Sequence, residues 1–218
     1  MQRRPIVLLL PAAVLAACNP AGSKRPPPAT GSVAMEEIDD WRGTAAPASV
    51  AEIEALPARW AAARMAAAAK NARAVGAYAS LLEQDTALPH PNPAPGPYRC
   101  RTVRLAPAAA RARVAVASRW AFCFVGADEQ DALSLTAEVP GARLGGYLYG
   151  GRDRRRLIFL GGGVPRGSTR PAAYGADGGA DVAALFQRID EFRYRLVLAP
   201  DGDLLVYELI ASPRQVPQ

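Results

Sequence analysis

Cys18, Cys100 and Cys123 are the residues of this 218-residue chain best placed for covalent chemistry. Leu15-Ala16-Ala17-Cys18 closes the apolar run from Ile6 to Leu15, which follows Arg3 and Arg4. Charge, hydrophobe and then small residues is the order of a secretory leader. The tetrapeptide has the form of a lipobox, whose cysteine sulfur takes diacylglycerol and becomes the first residue of the mature chain. The apolar run is too short to span a bilayer. With Cys18 assigned to lipid, Cys100 and Cys123 remain as an even pair in a compartment where disulfides persist. We expect them to be bonded, which would contribute roughly 3 kcal/mol by restricting the unfolded chain. A zinc site is disfavoured, because His90 is the single histidine and no CxxC or HxxxH pattern occurs.

The densest cationic group is Arg152, Arg154, Arg155 and Arg156, at a predicted hairpin tip with Arg143 expected on the paired strand. A guanidinium donates two parallel hydrogen bonds to a phosphate or carboxylate, so these four are the candidate anion-binding residues. The plainer reading is a solvated turn that blunts a sheet edge. His90 lies between prolines and reads as an exposed spacer rather than a base. Ser168 has no base nearby in sequence and no G-x-S-x-G elbow around it. Gly161 to Gly163 lack the lysine-serine ending of a phosphate loop and read as a flexible turn. Glu208 reads as the outward member of an alternation, facing solvent or an arginine such as Arg195. Tyr147, Tyr149, Tyr174 and Tyr194 are candidates for a barrel mouth, although packing is the commoner role of such residues. No catalytic residue, metal site or cofactor is implied.

Bulk properties narrow the classes further. Removing residues 1–17 takes Arg3 and Arg4 from the formal +6, leaving about +4 spread through both halves. That mildly basic surface suits anionic headgroups better than nucleic acid, which we exclude as a partner. About two hundred residues suffice for one domain with its own core.

The elements that must position these residues divide at prolines. Residues 1–17 form the leader and 18–33 a Pro- and Gly-rich flexible tether. Residues 34–88 form an alanine-rich helical segment. A short helix is predicted to carry Met35, Ile38 and Trp41, and Ser49-Val-Ala-Glu52 reads as a capping box. Ile53, Leu56, Trp60, Ala63 and Ala67 make one apolar stripe. Pro57 predicts a kink or a shifted helix start. Residues 89–97, with prolines at alternate positions, form a linker. Beyond it the period changes to two, and residues 98–212 show about eight candidate strands. The predicted fold class is α+β, an N-terminal helical segment followed by an antiparallel β-barrel or strongly curved sheet. The cysteines would cross-link neighbouring strands, at a non-hydrogen-bonded pair or across a barrel seam.

Tyr98-Arg-Cys-Arg-Thr-Val-Arg-Leu105, Gly146-Tyr-Leu-Tyr149, Leu157-Ile-Phe-Leu-Gly161, Tyr194-Arg-Leu-Val197 and Leu205-Val-Tyr-Glu-Leu209, behind a secreted N-terminus and a Trp-containing helical pair, carry a resemblance. The chain resembles a family of alphaproteobacterial envelope proteins known only as a domain of unknown function, over roughly residues 35–212. That implies export and carries no functional residues with it. By strand count and paired cysteines the β half is also similar to small secreted barrels of the lipocalin and protease-inhibitor type, a likeness of fold only. The expectation is a lipid-anchored envelope protein facing the periplasm, a non-catalytic binding or structural module with membrane contact through its anchor and an envelope protein partner. Asn19 favours delivery to the outer membrane. The alternative is a periplasmic protease inhibitor or hydrolase.

Overall fold

The computed structural model describes residues 41–128, 132–165, 170–176 and 180–212. Cys18, the leader, the tether, the short helix at Met35 and Ile38, and Ser168 lie outside them.

Alanine-rich sequence with Pro47 in the first turn starts the long helix α1 (Pro47–Gly76). Its buried face is Ser49, Ile53, Leu56, Trp60, Ala63 and Ala67, which contains the predicted stripe. Burying a side chain such as Ile53 or Leu56 stabilises by about 1.5–3 kcal/mol each. Pro57 sits inside the helix without ending it, contrary to the predicted kink or late start. The irregular residue is Asn71, at φ −155° and ψ 82°. Its Oδ1 accepts from the Ala74 amide at 3.0 Å, restarting the helix, while the Arg111 Nε donates to the Lys70 carbonyl at 2.7 Å. The capping box does not form. Ala46 holds the cap position, and Tyr174 supplies the oxygen: the Ala46 amide donates to its hydroxyl, which donates to Ser49 Oγ, both at 2.8 Å. A short helix α2 (Ala79–Leu82) follows.

Nine strands succeed it: β1 (Gly96–Leu105), β2 (Ala115–Ala117), β3 (Ala121–Ala127), β4 (Leu133–Val139), β5 (Ala142–Tyr149), β6 (Leu157–Gly163), β7 (Asp181–Asp190), β8 (Arg193–Leu198) and β9 (Leu204–Ala211). All pairings are antiparallel. β1 pairs with β9 along one side and with β3 on the other, so eight strands close a barrel. The three-residue β2 extends the wall beside the second half of β1.

Closure gives each strand an inner and an outer face. The inner faces contribute Tyr98, Leu135, Leu144, Phe159, Phe186, Leu196 and Tyr207 to one packed core. A second core lies outside the wall, where α1 and α2 cover Val103, Leu105, Ile158, Leu160, Leu185, Val197 and Val206. The strands under the helices are therefore apolar on both faces and lose the alternation of buried and exposed residues seen on β3.

Gly161 to Gly163 belong to β6 rather than to a turn. Gly146 and Gly161 are cross-strand partners. A Cβ on Gly146 would stand 2.3 Å from the Leu160 carbonyl oxygen, and one on Gly161 2.2 Å from that of Gly145. These glycines permit the backbones of β5 and β6 to approach where the barrel bends.

The linker is docked. Pro91 and Pro93 are buried. The Leu88 amide donates to the Arg188 carbonyl at 2.8 Å, the Arg188 guanidinium donates to the Pro89 carbonyl at 2.6 Å, and the Tyr98 hydroxyl donates to the Ala94 carbonyl at 2.8 Å. The segment thus lies across the barrel end at which β1 starts and β7 finishes.

Candidate functional site

The predicted disulfide is present, joining Cys100 to Cys123 with Cα atoms 5.8 Å apart. Register pairs Cys100 with Ala121 and Cys123 with Tyr98, so the bond runs diagonally between β1 and β3 inside the barrel. It links neighbouring strands, as expected, but not at a directly opposed pair, one of the two arrangements the sequence left open. Strand twist brings one diagonal of each antiparallel ladder closer than the other.

The arginine run forms the β5–β6 connection at the linker-covered end. Asp153 shapes it: its carboxylate accepts from the Arg155 amide at 2.9 Å and from Arg156 Nε at 3.1 Å. The His90 amide donates to the Arg154 carbonyl at 3.1 Å, and His90 adopts a positive φ of 56°. Arg152, Arg154 and Arg155 are exposed, and their side chains make no ion pair or hydrogen bond among the described residues. Two clefts flank this loop. One, of about 340 Å³, lies between it and His90, Pro91 and Asn92. The other, of about 420 Å³, lies between it and Trp41 and Arg42. Gly151 packs on the Trp41 ring, whose nearest atom would lie 3.4 Å from an added Cβ. His90 is therefore part of a cleft wall, a placement hidden from sequence because the linker's docking decides it. Arg143 is not near the tip. It stands at the other end of β5 and donates from Nε to Glu138 at 2.6 Å, a contact that raises its pKa.

A second polar group lies beneath the helices. Register aligns Arg101, Glu208, Arg195 and Gln187 across β1, β9, β8 and β7. Glu208 is 2% exposed and accepts from Nε of both Arg101 and Arg193 at 2.7 Å. As alternation predicts, it faces arginines rather than the barrel core, but the bonded ones are Arg101 and Arg193, not its cross-strand partner Arg195. Arg195 is fully buried and turns to the helical segment. Its Nε donates to Gln187 Oε1 at 2.9 Å, and its other nitrogens to the carbonyls of Leu81 at 2.9 Å, Glu83 at 2.5 Å and Gln84 at 3.0 Å. Its guanidinium carbon stands 4.5 Å from the centre of the Trp60 ring, whose Nε1 donates to the Leu82 carbonyl at 3.0 Å. Burial, aided by the neighbouring charge of Arg193, lowers the Arg195 pKa to about 10. The group remains a cation at neutral pH and anchors the end of α2 to the wall.

The four tyrosines divide. Tyr194 is internal, stacked on Phe186 with centroids 5.5 Å apart. Tyr147, Tyr149 and Tyr174 gather in an outer groove with Ser134, Thr136 and Pro171. None lines a barrel mouth. Among the described residues no group of three or more His, Cys, Asp or Glu side chains could hold a metal, and no helix is long and apolar enough to cross a membrane.

These features define a disulfide-bonded, side-chain-packed antiparallel barrel with helices bound along its outer wall. The chain belongs to the family described as Domain of unknown function (DUF4893), whose model matches residues 41–209, from the first helical turn through nearly all of β9. Comparison with curated proteins and with solved structures finds no match.

Proposed function

We propose that this is a lipid-anchored protein of the cell envelope, held at the outer membrane through Cys18 and facing the periplasm. In this reading the barrel is a non-catalytic binding module, and its arginine loop engages an anionic group on another envelope component. The observation that carries it is the loop itself. Arg152, Arg154 and Arg155 project from one connection between two clefts without a carboxylate partner among the described residues. Asp153 is already occupied in shaping the turn, so the loop presents net positive charge from a rigid base. Planar guanidinium forks suit phosphate or carboxylate. The disulfide supports an oxidising compartment. Lipid attachment and delivery rest on Leu15-Ala16-Ala17-Cys18 and Asn19.

The test is chemical crosslinking in living cells, comparing the wild-type chain with Arg152→Ala/Arg154→Ala/Arg155→Ala by quantitative mass spectrometry. We expect an envelope adduct on the wild type that falls at least tenfold in the variant while its melting temperature is unchanged. Identical adducts on both proteins would remove the loop from the function.

A further inference from the structure

We propose that the outer face of β3, carrying Phe122 and Phe124, together with Trp120 just before the strand, is a docking surface for an anionic phospholipid membrane. The proposal rests on the envelope attachment argued above, and it concerns a different surface from the arginine loop.

Alternation on β3 sends Cys123 and Val125 into the barrel core and Phe122 and Phe124 outward. The helices cover the wall from β6 through β9 to β1 but leave β3 bare. Phe122 is 71% exposed, Phe124 55% and Trp120 38%. Two large aromatic groups at alternate positions on β3, with a third immediately before the strand, are a concentrated apolar surface. Cations surround them. The exposed Arg99 has its guanidinium carbon 4.9 Å from the centre of the Trp120 ring and is the cross-strand partner of Phe122, and the exposed Arg119 adjoins Trp120; Arg101, 4.5 Å from the same ring, is already paired with Glu208. Among the described residues, Glu138 on the neighbouring β4 accepts from Arg143, and Asp128, past the end of β3, accepts from the Ala132 amide.

Charge and shape together select the occupant. β3 is hydrogen-bonded on both sides, to β1 and to β4, so it offers no edge for an added strand. Barrel curvature makes the face convex, which suits a deformable bilayer interface better than a rigid groove. Indole and phenyl groups enter the boundary between headgroups and acyl chains, and guanidiniums at their rim meet lipid phosphates. The 22 residues between Cys18 and Trp41, if extended, reach roughly 70 Å, enough to bring the face to the membrane that holds the anchor.

Trp120 is its own probe, because Trp41 and Trp60 are buried. The full-length protein is isolated from the envelope, its mass at Cys18 is determined, and it is mixed with vesicles of phosphatidylethanolamine and phosphatidylglycerol with brominated acyl chains. We expect tryptophan quenching that Trp120→Phe abolishes, that Phe122→Ser/Phe124→Ser reduces at least tenfold, and that is several-fold weaker in brominated phosphatidylcholine. This pattern supports docking whether or not Cys18 carries lipid. A lipidated, vesicle-bound chain without quenching overturns docking and leaves the attachment intact. An unlipidated chain without quenching overturns both. Equal quenching in phosphatidylcholine contradicts the role of the arginines. A concentration-dependent blue shift of Trp120 emission without vesicles assigns the face to a second copy and overturns the proposal.

Discussion

Arg195 shows how strand register, rather than sequence neighbourhood, decides what a charged residue does. Alternation put it on the same face as Glu208, and that placement is right. The partner is not legible, because it depends on α2 arriving over β8 from more than a hundred residues away. Once there, the three carbonyls of Leu81, Glu83 and Gln84 need a donor, and Arg195 satisfies all of them. Arg195→Met keeps much of the volume and leaves the Leu81 and Gln84 carbonyls without their donor, while the Glu83 carbonyl keeps the Thr86 hydroxyl at 3.0 Å, so we expect a loss of about 3 kcal/mol or more in chemical denaturation. A change below 1 kcal/mol would mean that water serves them equally well. Buried tyrosines supply a pH signature. Burial, with a contribution from Tyr194, pushes the Tyr98 hydroxyl up to about 12, and burial raises Tyr194 and Tyr207 as well. Above pH 10 the unfolded chain loses these protons before the folded one does. Their stabilisation is therefore complete below pH 10 and is lost as pH climbs through the folded values. Melting temperatures between pH 9 and 12 should fall accordingly, and the fall should lessen in Tyr98→Phe.

The helix stripe and eight strands were legible because their periods, 3.6 and 2, are written in consecutive residues. Three features were not. β2 is only three residues long, below what alternation can reveal. The linker's prolines exclude regular structure but say nothing about docking, and the buried Pro91 and Pro93 owe their place to a barrel end that sequence does not display. Gly161 to Gly163 resemble a turn in isolation; only pairing with Gly145 and Gly146 shows that they allow two strands to approach. Gly146→Ala should cost about 3 kcal/mol or more, since its Cβ would meet backbone that cannot swing aside. Gly163→Ala, whose Cβ has its nearest neighbour at 4.0 Å, should be tolerated. Comparable stability of the two variants by urea unfolding would refute the close-approach role.

The whole molecule combines a closed sheet, an internal disulfide and an external helix layer, with two separate surfaces left for partners. Closure leaves only the three-residue β2 with an unpaired edge among the described strands, and the diagonal bond ties β1 to the strand bearing the aromatic face. Replacing Cys100 and Cys123 with Ser should cost about 3 kcal/mol, or roughly 6–12 °C of melting temperature for a domain of this size. Unchanged melting would show that the bond adds nothing to the closed barrel. The arginine loop was visible as composition, whereas the exposure of Phe122 and Phe124 on β3 was not. Their separation, one at the barrel end beside the linker and the other on the side wall, required the fold. The decisive measurement is the intact mass of the protein taken from envelope fractions. A chain beginning at a diacylglyceryl-modified Cys18, and gaining the mass of two hydrogens on reduction of Cys100–Cys123, is the predicted result. A chain beginning at Met1, or a free and unmodified thiol at Cys18, would contradict the anchored envelope reading.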